Sequence, residues 1–406
     1  MATIVQTVLQ KMGNISKPHA QVMTTLLTTI LVLCGKVNFT NLSRYSVLNE
    51  KTYRRFFRKV FNFCHFNQVL VELYVPPDHG LLAVMDASFN FKSGKKTFGL
   101  DYFYNGCHSR SERGLELSLI AVVDVITKAS YSINAQQTYN QIQNPLLTRT
   151  DYALAHLDQT RQYLPKRVRY LAVDSAYSTH GFVQGAVALK LEVISKLRQN
   201  ADLKYLYHGP QKAKGAKRKY AGKVDFSDLL SGLIWVKQLD DEDNQDNGIE
   251  LYTQVVWHVS LKHKIRLVYL RDQRNPNKPA YALLFSTDLN QTPQEILQFY
   301  RLRFQIEFIF RDAKQFTGLS DCQSRTEKVL DFHFNASLMA LNIAKAEQRE
   351  NRESHESIIL SMASIKRRAL NDYLIELFIR KLGLSRALIK SHPNFQDLRN
   401  HGVIRA

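Results

Sequence analysis

Three carboxylates and a set of polar side chains beside one of them define the chemistry open to this sequence. Glu307 lies in the stretch Phe299 to Lys314, F-Y-R-L-R-F-Q-I-E-F-I-F-R-D-A-K, which reads as one helix. At about 100° per residue, Tyr300, Arg303, Glu307 and Lys314 fall within roughly 60° of one face. Phe299, Leu302, Ile306, Phe308, Ile309 and Phe310 take the other faces, so the helix is expected to be buried nearly all round. A buried carboxylate needs a cation or a proton. Arg303 and Lys314 alone would give Glu307 a plain ion-pair network; a metal ion is the sharper reading.

Two aspartates complete the set. Asp86 follows the apolar run Leu81 to Met85, and Asp174 follows the run Val168 to Val173, both of buried-strand type. Each is therefore expected at the C-terminal end of a strand, where open α/β sheets carry their sites. Adjacent strands would bring the two carboxylates together, and their mutual repulsion calls for divalent cations. Either aspartate by itself could simply cap a turn or helix.

The order Tyr300, Arg303, Glu307, Lys314 matches a Y-R-E-K signature, and with Asp86 and Asp174 ahead of it the chain resembles the DDE transposases of bacterial insertion sequences, specifically the insertion-sequence-four group. The resemblance implies an α/β fold: a ribonuclease-H-like catalytic core with a β-rich insertion, a helical N-terminal DNA-binding domain and a helical C-terminal region. The corresponding divisions are 1–75 for the N-terminal domain, 76–199 and 291–346 for the two parts of the core, 200–290 for the insertion, and 347–406 for the C-terminal region. It further implies two Mg²⁺ ions, for which Mn²⁺ can substitute, held by Asp86, Asp174 and Glu307. Such ions, about 3.5 to 4 Å apart, activate an attacking oxygen and stabilise a leaving one at phosphorus. Water attacks first and a DNA 3′-OH later, which is cut-and-paste transposition. Tyr300, Arg303 and Lys314 would then grip phosphates of the transposon end, joined by Arg311, with Phe304 as a base-stacking candidate. The implied partners are double-stranded DNA, as terminal repeats and as target, and a second copy of the chain on that DNA. Two other readings stand beside this one: an inert DNA-binding protein derived from such an enzyme, and a ribonuclease-H-like nuclease that only hydrolyses. The presence of all three carboxylates counts against the first.

Charge agrees with a polyanionic partner. The 406 residues carry 55 Lys and Arg against 36 Asp and Glu, a net charge of +19. Nucleic acid is the first candidate and an anionic membrane the second. The most apolar N-terminal run, Val22 to Cys34, is too short to span a bilayer and is broken by threonines, so no membrane partner is expected. Cys34, Cys64, Cys107 and Cys322 have no paired spacing, which points to a reduced cytoplasm and to no zinc site; the resemblance implies that this cytoplasm is bacterial and the place in it the nucleoid.

Two segments are candidates for DNA contact. Asn38 to Phe63 reads as a short helix, a break near Ser46 to Asn49 and a longer helix, as in a helix-turn-helix, with Arg54, Arg55 and Arg58 on a cationic face. Gln211 to Lys223 carries Lys212, Lys214, Lys217, Arg218 and Lys219 between Gly and Ala, and suits a phosphate-tracking loop. Strand-like segments follow it, with an acidic hairpin tip expected between Asp240 and Gly248. Trp235 and Trp257 are expected to be core residues of those strands.

Overall fold

A computed structural model describes residues 1–139, 146–226, 232–239, 248–274, 280–353 and 361–404. The expected acidic tip at 240–247 lies outside these residues. Five helices come first: α1 (Ala2–Met12), α2 (Lys17–Val32), α3 (Phe39–Arg44), α4 (Glu50–Phe56) and α5 (Phe63–Tyr74). The strands β1 (Leu81–Phe91), β2 (Asp101–Asn105), β3 (Arg110–Asp124) and β4 (Ser130–Thr138) follow, then α6 (Arg149–Arg161), β5 (Tyr170–Val173), α7 (His180–Ala188) and β6 (Glu192–Leu197). Six more strands come next: β7 (Leu203–Leu206), β8 (Tyr220–Lys223), β9 (Ile234–Leu239), β10 (Ile249–His258), β11 (His263–Asp272) and β12 (Ala280–Ser286). The chain continues with α8 (Pro293–Leu302), α9 (Gln305–Phe316), α10 (Glu327–Glu353), α11 (Met362–Leu382), α12 (Arg386–Ser391) and α13 (Phe395–Arg399).

Helix starts are written in the local sequence. Asn38, Asn49 and Asn62 each accept a backbone N–H in the first turn of α3, α4 and α5. Thr148 with Asp151, and Thr292 with Glu295, form reciprocal capping boxes on α6 and α8, and Pro293 opens α8 where its missing N–H costs nothing. The helix-turn-helix expectation is met only in outline, because the second helix stops at Phe56 and is one residue longer than the first.

The strands form one mixed sheet in the order β2-β3-β1-β5-β6-β12-β11-β10-β7-β8, with β4 also on β3 and β9 also on β10. β1, β3 and β4 run as an antiparallel meander, while β5 pairs parallel to β1 and β6 parallel to β5. Two parallel neighbours need crossovers, supplied by the α6 segment and by α7. The strands after residue 200 extend this sheet, since β12 returns to pair antiparallel with β6.

Helices cover the sheet, and the N-terminal helices share its core. Phe57 packs on Phe332 of α10 with ring centroids 4.5 Å apart, and Asn67 of α5 donates to the Ile133 carbonyl of β4 at 3.0 Å. Asn342 of α10 donates to Asn67 at 2.9 Å and to the Ser132 carbonyl at 2.8 Å, so α5, α10 and β4 are tied by a fully buried polar link. Trp235 departs from expectation: it is 55% exposed, because among the described residues β9 is hydrogen-bonded only to β10. Trp257 is half-buried, its ring 5.8 Å from that of Tyr220.

Candidate active site

The apolar run before Asp86 forms a fully buried strand, as expected, but the strand does not end at the aspartate. β1 stays paired with β3 through Phe91, and Asp86 sits opposite Leu119 in mid-strand. The alternation of apolar and polar residues from Asp86 to Phe91 is compatible with strand, so the change to polar composition marked the edge of the core and not the strand's end. β5 does end at Val173. Its parallel register pairs Val173 with Met85, so the next residues, Asp174 past the end of β5 and Asp86 within β1, lie side by side. The Asp174 backbone is fixed by Tyr177 N–H at 3.0 Å and by the Ser195 hydroxyl at 3.1 Å, both donating to its carbonyl.

The stretch Phe299 to Lys314 is two helices. α8 ends at Leu302, Arg303 and Phe304 form a tight turn, and α9 begins at Gln305. Three-residue hydrogen bonds, Ile306 N to Arg303 O at 3.1 Å and Glu307 N to Phe304 O at 3.0 Å, replace the helical ones there. No Gly or Pro causes the break. Tertiary packing does: α8 lies on β6, β11 and β12, and α9 lies on β1, β3 and β4. Nor is the segment buried all round. Ile306, Ile309, Phe310 and Ala313 face the core, while Phe304, Glu307 and Arg311 are exposed.

The turn brings Arg303 between two of the carboxylates. Its guanidinium contacts Asp86 Oδ2 and Glu307 Oε1, each at 3.2 Å, and its side chain is only 13% exposed. The guanidinium also lies 5.8 Å from the Tyr300 ring centroid. Burial raises the Asp86 carboxyl to about 6; the Ala87 N–H and Arg303 lower it, and the charges on Asp174 and Glu307 raise it again. Burial by itself would make Arg303 easier to deprotonate, but Asp86, Tyr300, Asp174 and Glu307 reverse that effect. Asp86 is thus a carboxylate short of positive charge, and Arg303 is the cation that relieves it. Arg303 therefore neutralises the carboxylates here, making the ion pair with Glu307 that the sequence offered as the plain reading and adding Asp86 to it.

Lys314 is likewise engaged. Its ammonium donates to Ser88 Oγ at 2.8 Å and to the Phe89 carbonyl at 2.7 Å, and burial lowers its pKa. It clamps α9 to β1. Burial also raises the Tyr300 hydroxyl. Arg311 bonds Asp312 at 2.9 Å and lies 4.6 Å from the Phe308 ring centroid, and Phe304 stands edge-on to Phe308.

A cavity of about 930 Å³ opens beside these groups, lined by Asp86, Ser88, Glu307 and Arg311 on one side and by Arg149 and Tyr177 on the other. Glu116, also in its wall, pairs with Arg149 and accepts from Thr138 Oγ1 at 2.8 Å. These wall residues and Ser88 are absent from the sequence reading, because nothing in local spacing announces contacts made across strands and between β3 and α6. The basic residues expected to contact DNA stand elsewhere. Arg54 and Arg55 are exposed on α4 and Arg58 in the turn after it, and Lys212, Lys214, Lys217, Arg218 and Lys219 are exposed in the loop between β7 and β8.

A family model for the transposase DDE domain matches residues 136–343, just over half of the chain. The chain belongs to the DDE transposases. The match runs from β4 to α10 and therefore includes Asp174, the Arg303 turn and Glu307, while Asp86 precedes it. A search of curated proteins returned no match. Membership makes DNA the transposase's substrate and accounts for its excess of positive charge. No helix among the described residues is long and apolar enough to cross a membrane.

DDE transposases generally depend on divalent metal ions. Among the described residues no three His, Cys, Asp or Glu side chains stand close enough together to hold an ion. The chemistry of the donors nevertheless fits one: three carboxylates offer hard oxygen ligands, and Asp86, raised toward neutrality by burial and by two like charges, gains from any added cation.

Proposed function

We propose that this transposase belongs to the insertion-sequence-four group and cuts and joins transposon ends through Asp86, Asp174 and Glu307, on a ribonuclease-H-like core. The observation that carries the reading is the parallel pairing of β1 with β5, which sets Asp174, at the end of β5, beside Asp86 in mid-β1, while Arg303 links Asp86 to Glu307. The order of β4, β3, β1, β5 and β6, three antiparallel strands followed by two parallel ones, supports the core assignment. Residues 1–75 then serve as a DNA-binding region, 200–290 as the β-rich insertion and 347–406 as a helical region that pairs two copies on DNA.

Asp86, Asp174 and Glu307 would hold two Mg²⁺ ions, or Mn²⁺, which when bound lower the barrier to in-line displacement at phosphorus. The chain's own residues do the rest. Lys314 fixes α9 against β1 and so sets the distance between Glu307 and the aspartates. Arg303 holds the carboxylates neutralised before DNA arrives, and on release it is placed to take a phosphate of the transposon end, beside Tyr300. The cavity next to Asp86 gives the strand end a place partly shielded from water, with Arg149 and Arg311 at its wall. Phe304, exposed at the turn, is available to stack on a base.

The test is end nicking and strand joining by Asp86→Asn, Asp174→Asn and Glu307→Gln, each of which removes one negative charge at nearly constant volume. Nicking of a labelled end should be lost in all three, with end binding retained. Near-normal Mg²⁺-dependent cleavage by any one of them removes that residue from the proposal. Joining of wild-type ends to a target plasmid separates a transposase from a nuclease that only hydrolyses.

A further inference from the structure

We propose that the hollows on either side of the segment between α9 and α10 form one cationic track for the DNA backbone, about six base pairs from the scissile phosphate. The proposal rests on the active-site reading above only for that distance. The first hollow, about 650 Å³, lies under the turn that follows β1 and is lined by Lys36, Lys95, Lys96 and Arg325. The second, about 150 Å³, lies against α3 and α4 and includes Arg54 and Arg58. Cys322 and Gln323 line both, so the two hollows meet over a shared ridge.

The cations are uncommitted. Lys36, Arg58, Lys95, Lys96 and Arg325 are exposed, and among the described residues none has a hydrogen bond or ion pair from its side chain. The one carboxylate in the larger hollow, Asp321, already accepts the Val37 N–H at 2.8 Å. Arg54 is the exception, being paired with Glu50. Five charges of one sign held together without partners repel each other, a cost that a polyanion removes.

The scaffold beneath them is fixed. Lys92, at the start of the turn, donates to the Cys322 carbonyl, and Phe98 N–H donates to the Arg325 carbonyl at 3.0 Å. Gly94, at φ +109°, supplies the backbone turn that puts Lys95 and Lys96 over the hollow. A row of cations on a braced ridge suits successive phosphates better than it suits a single small anion.

β1 ties this track to the carboxylates. β1 is extended from Asp86 to Phe91, and Lys92 follows it directly, six steps on from the aspartate, roughly 20 Å at about 3.3 Å per residue. At about 3.4 Å of duplex axis per base pair, that is about six base pairs inward from the reacting phosphate.

The experiment uses the full chain carrying Lys36→Ala, Lys95→Ala, Lys96→Ala and Arg325→Ala together. A duplex of about 30 base pairs ending at the element's terminus, taken from DNA flanking the coding region, is titrated by fluorescence anisotropy over a series of salt concentrations. Losing four phosphate contacts should flatten the slope of log K against log salt by about 3 to 4, with an unchanged melting curve. Phosphate ethylation of the same duplex should interfere with wild-type binding about five to seven base pairs from the cleaved bond, and that interference should vanish in the variant. An unchanged slope, or interference that persists at those phosphates, overturns the track. If the fourfold variant melts early, Lys95→Ala alone, at an exposed position, should still change the slope by about 1. Retained nicking by Asp86→Asn defeats the carboxylate assignment without touching the slope, so the two failures are read separately.

Discussion

Replacing Arg303 by Ala tests whether this side chain is first of all the counter-ion of the catalytic carboxylates. The guanidinium is 13% exposed and contacts Asp86, itself 24% exposed, and Glu307, 43% exposed. Removing one member of a buried pair costs about 3 to 5 kcal/mol, whereas an exposed pair contributes about 0 to 1 kcal/mol. The Glu307 contact belongs to the second class and the Asp86 contact lies nearer the first, so the expected loss is about 2 to 3 kcal/mol. Spread over the unfolding entropy of a chain this long, that lowers the melting temperature by only about 2 to 4 °C, so denaturant titration is the better assay. The decisive measurement is a double-mutant cycle with Asp86→Asn. If Arg303 works by neutralising Asp86, Asp86→Asn should be stabilising or neutral alone and should recover most of the loss in the Arg303→Ala background, giving a coupling of about 1 to 3 kcal/mol. The pH dependence has a fixed sign. Asp86 titrates at about 6 when folded, above its unfolded value, so its contribution to stability is fullest below about pH 4 and is lost as pH rises through 6. Removing Arg303 should steepen that loss above neutrality. Additive effects in the cycle, or a pH profile that Arg303→Ala leaves unchanged, would refute the reasoning and return Arg303 to the role of a phosphate ligand alone.

Three further outcomes are expected. Asp124 is fully buried and accepts from His79 at 2.8 Å and Arg349 at 3.0 Å; burial would raise its carboxyl, but hydrogen bonds from His79, Thr127 and Arg349 outweigh that and hold it at about 2. Asp124→Asn should therefore cost about 2 to 3 kcal/mol near pH 7, and the difference from wild type in acid melts should shrink as pH falls from about 4 through 2. Gly114→Ala places a Cβ 2.5 Å from the Phe89 ring and 2.7 Å from the Asn90 carbonyl, and should destabilise β1 by about 1 to 3 kcal/mol and reduce nicking, because Phe89 carries the carbonyl that holds Lys314. Replacing Arg54, Arg55 and Arg58 by Ala should flatten the salt dependence of DNA binding by about 2 and not 3, since Glu50 already satisfies Arg54; an unaltered slope would shift the N-terminal contact to the loop between β7 and β8.

Local patterns in the sequence carried a good deal. The apolar runs before Asp86 and Asp174 are strands because continuous buried residues have few other places to go, and the spacing of Tyr300, Arg303, Glu307 and Lys314 marked a helical segment in which charge had to be answered by charge. Asparagine and threonine caps located helix starts for the same reason: each acts within a few residues of itself. What the sequence could not contain is whatever depends on residues far apart in the chain. The break at Arg303 arises from the different surfaces on which α8 and α9 pack, with no Gly or Pro to announce it. The continuation of β1 past Asp86 is fixed by its pairing with β3, the exposure of Trp235 by β9 having one neighbour among the described residues, and the clamp of Lys314 by a strand more than two hundred residues earlier. Periodicity reports which face of an element is apolar. Only the assembled sheet decides which charged groups on that face meet, and here it set Arg303 between two carboxylates, where one helix alone offered it only Glu307.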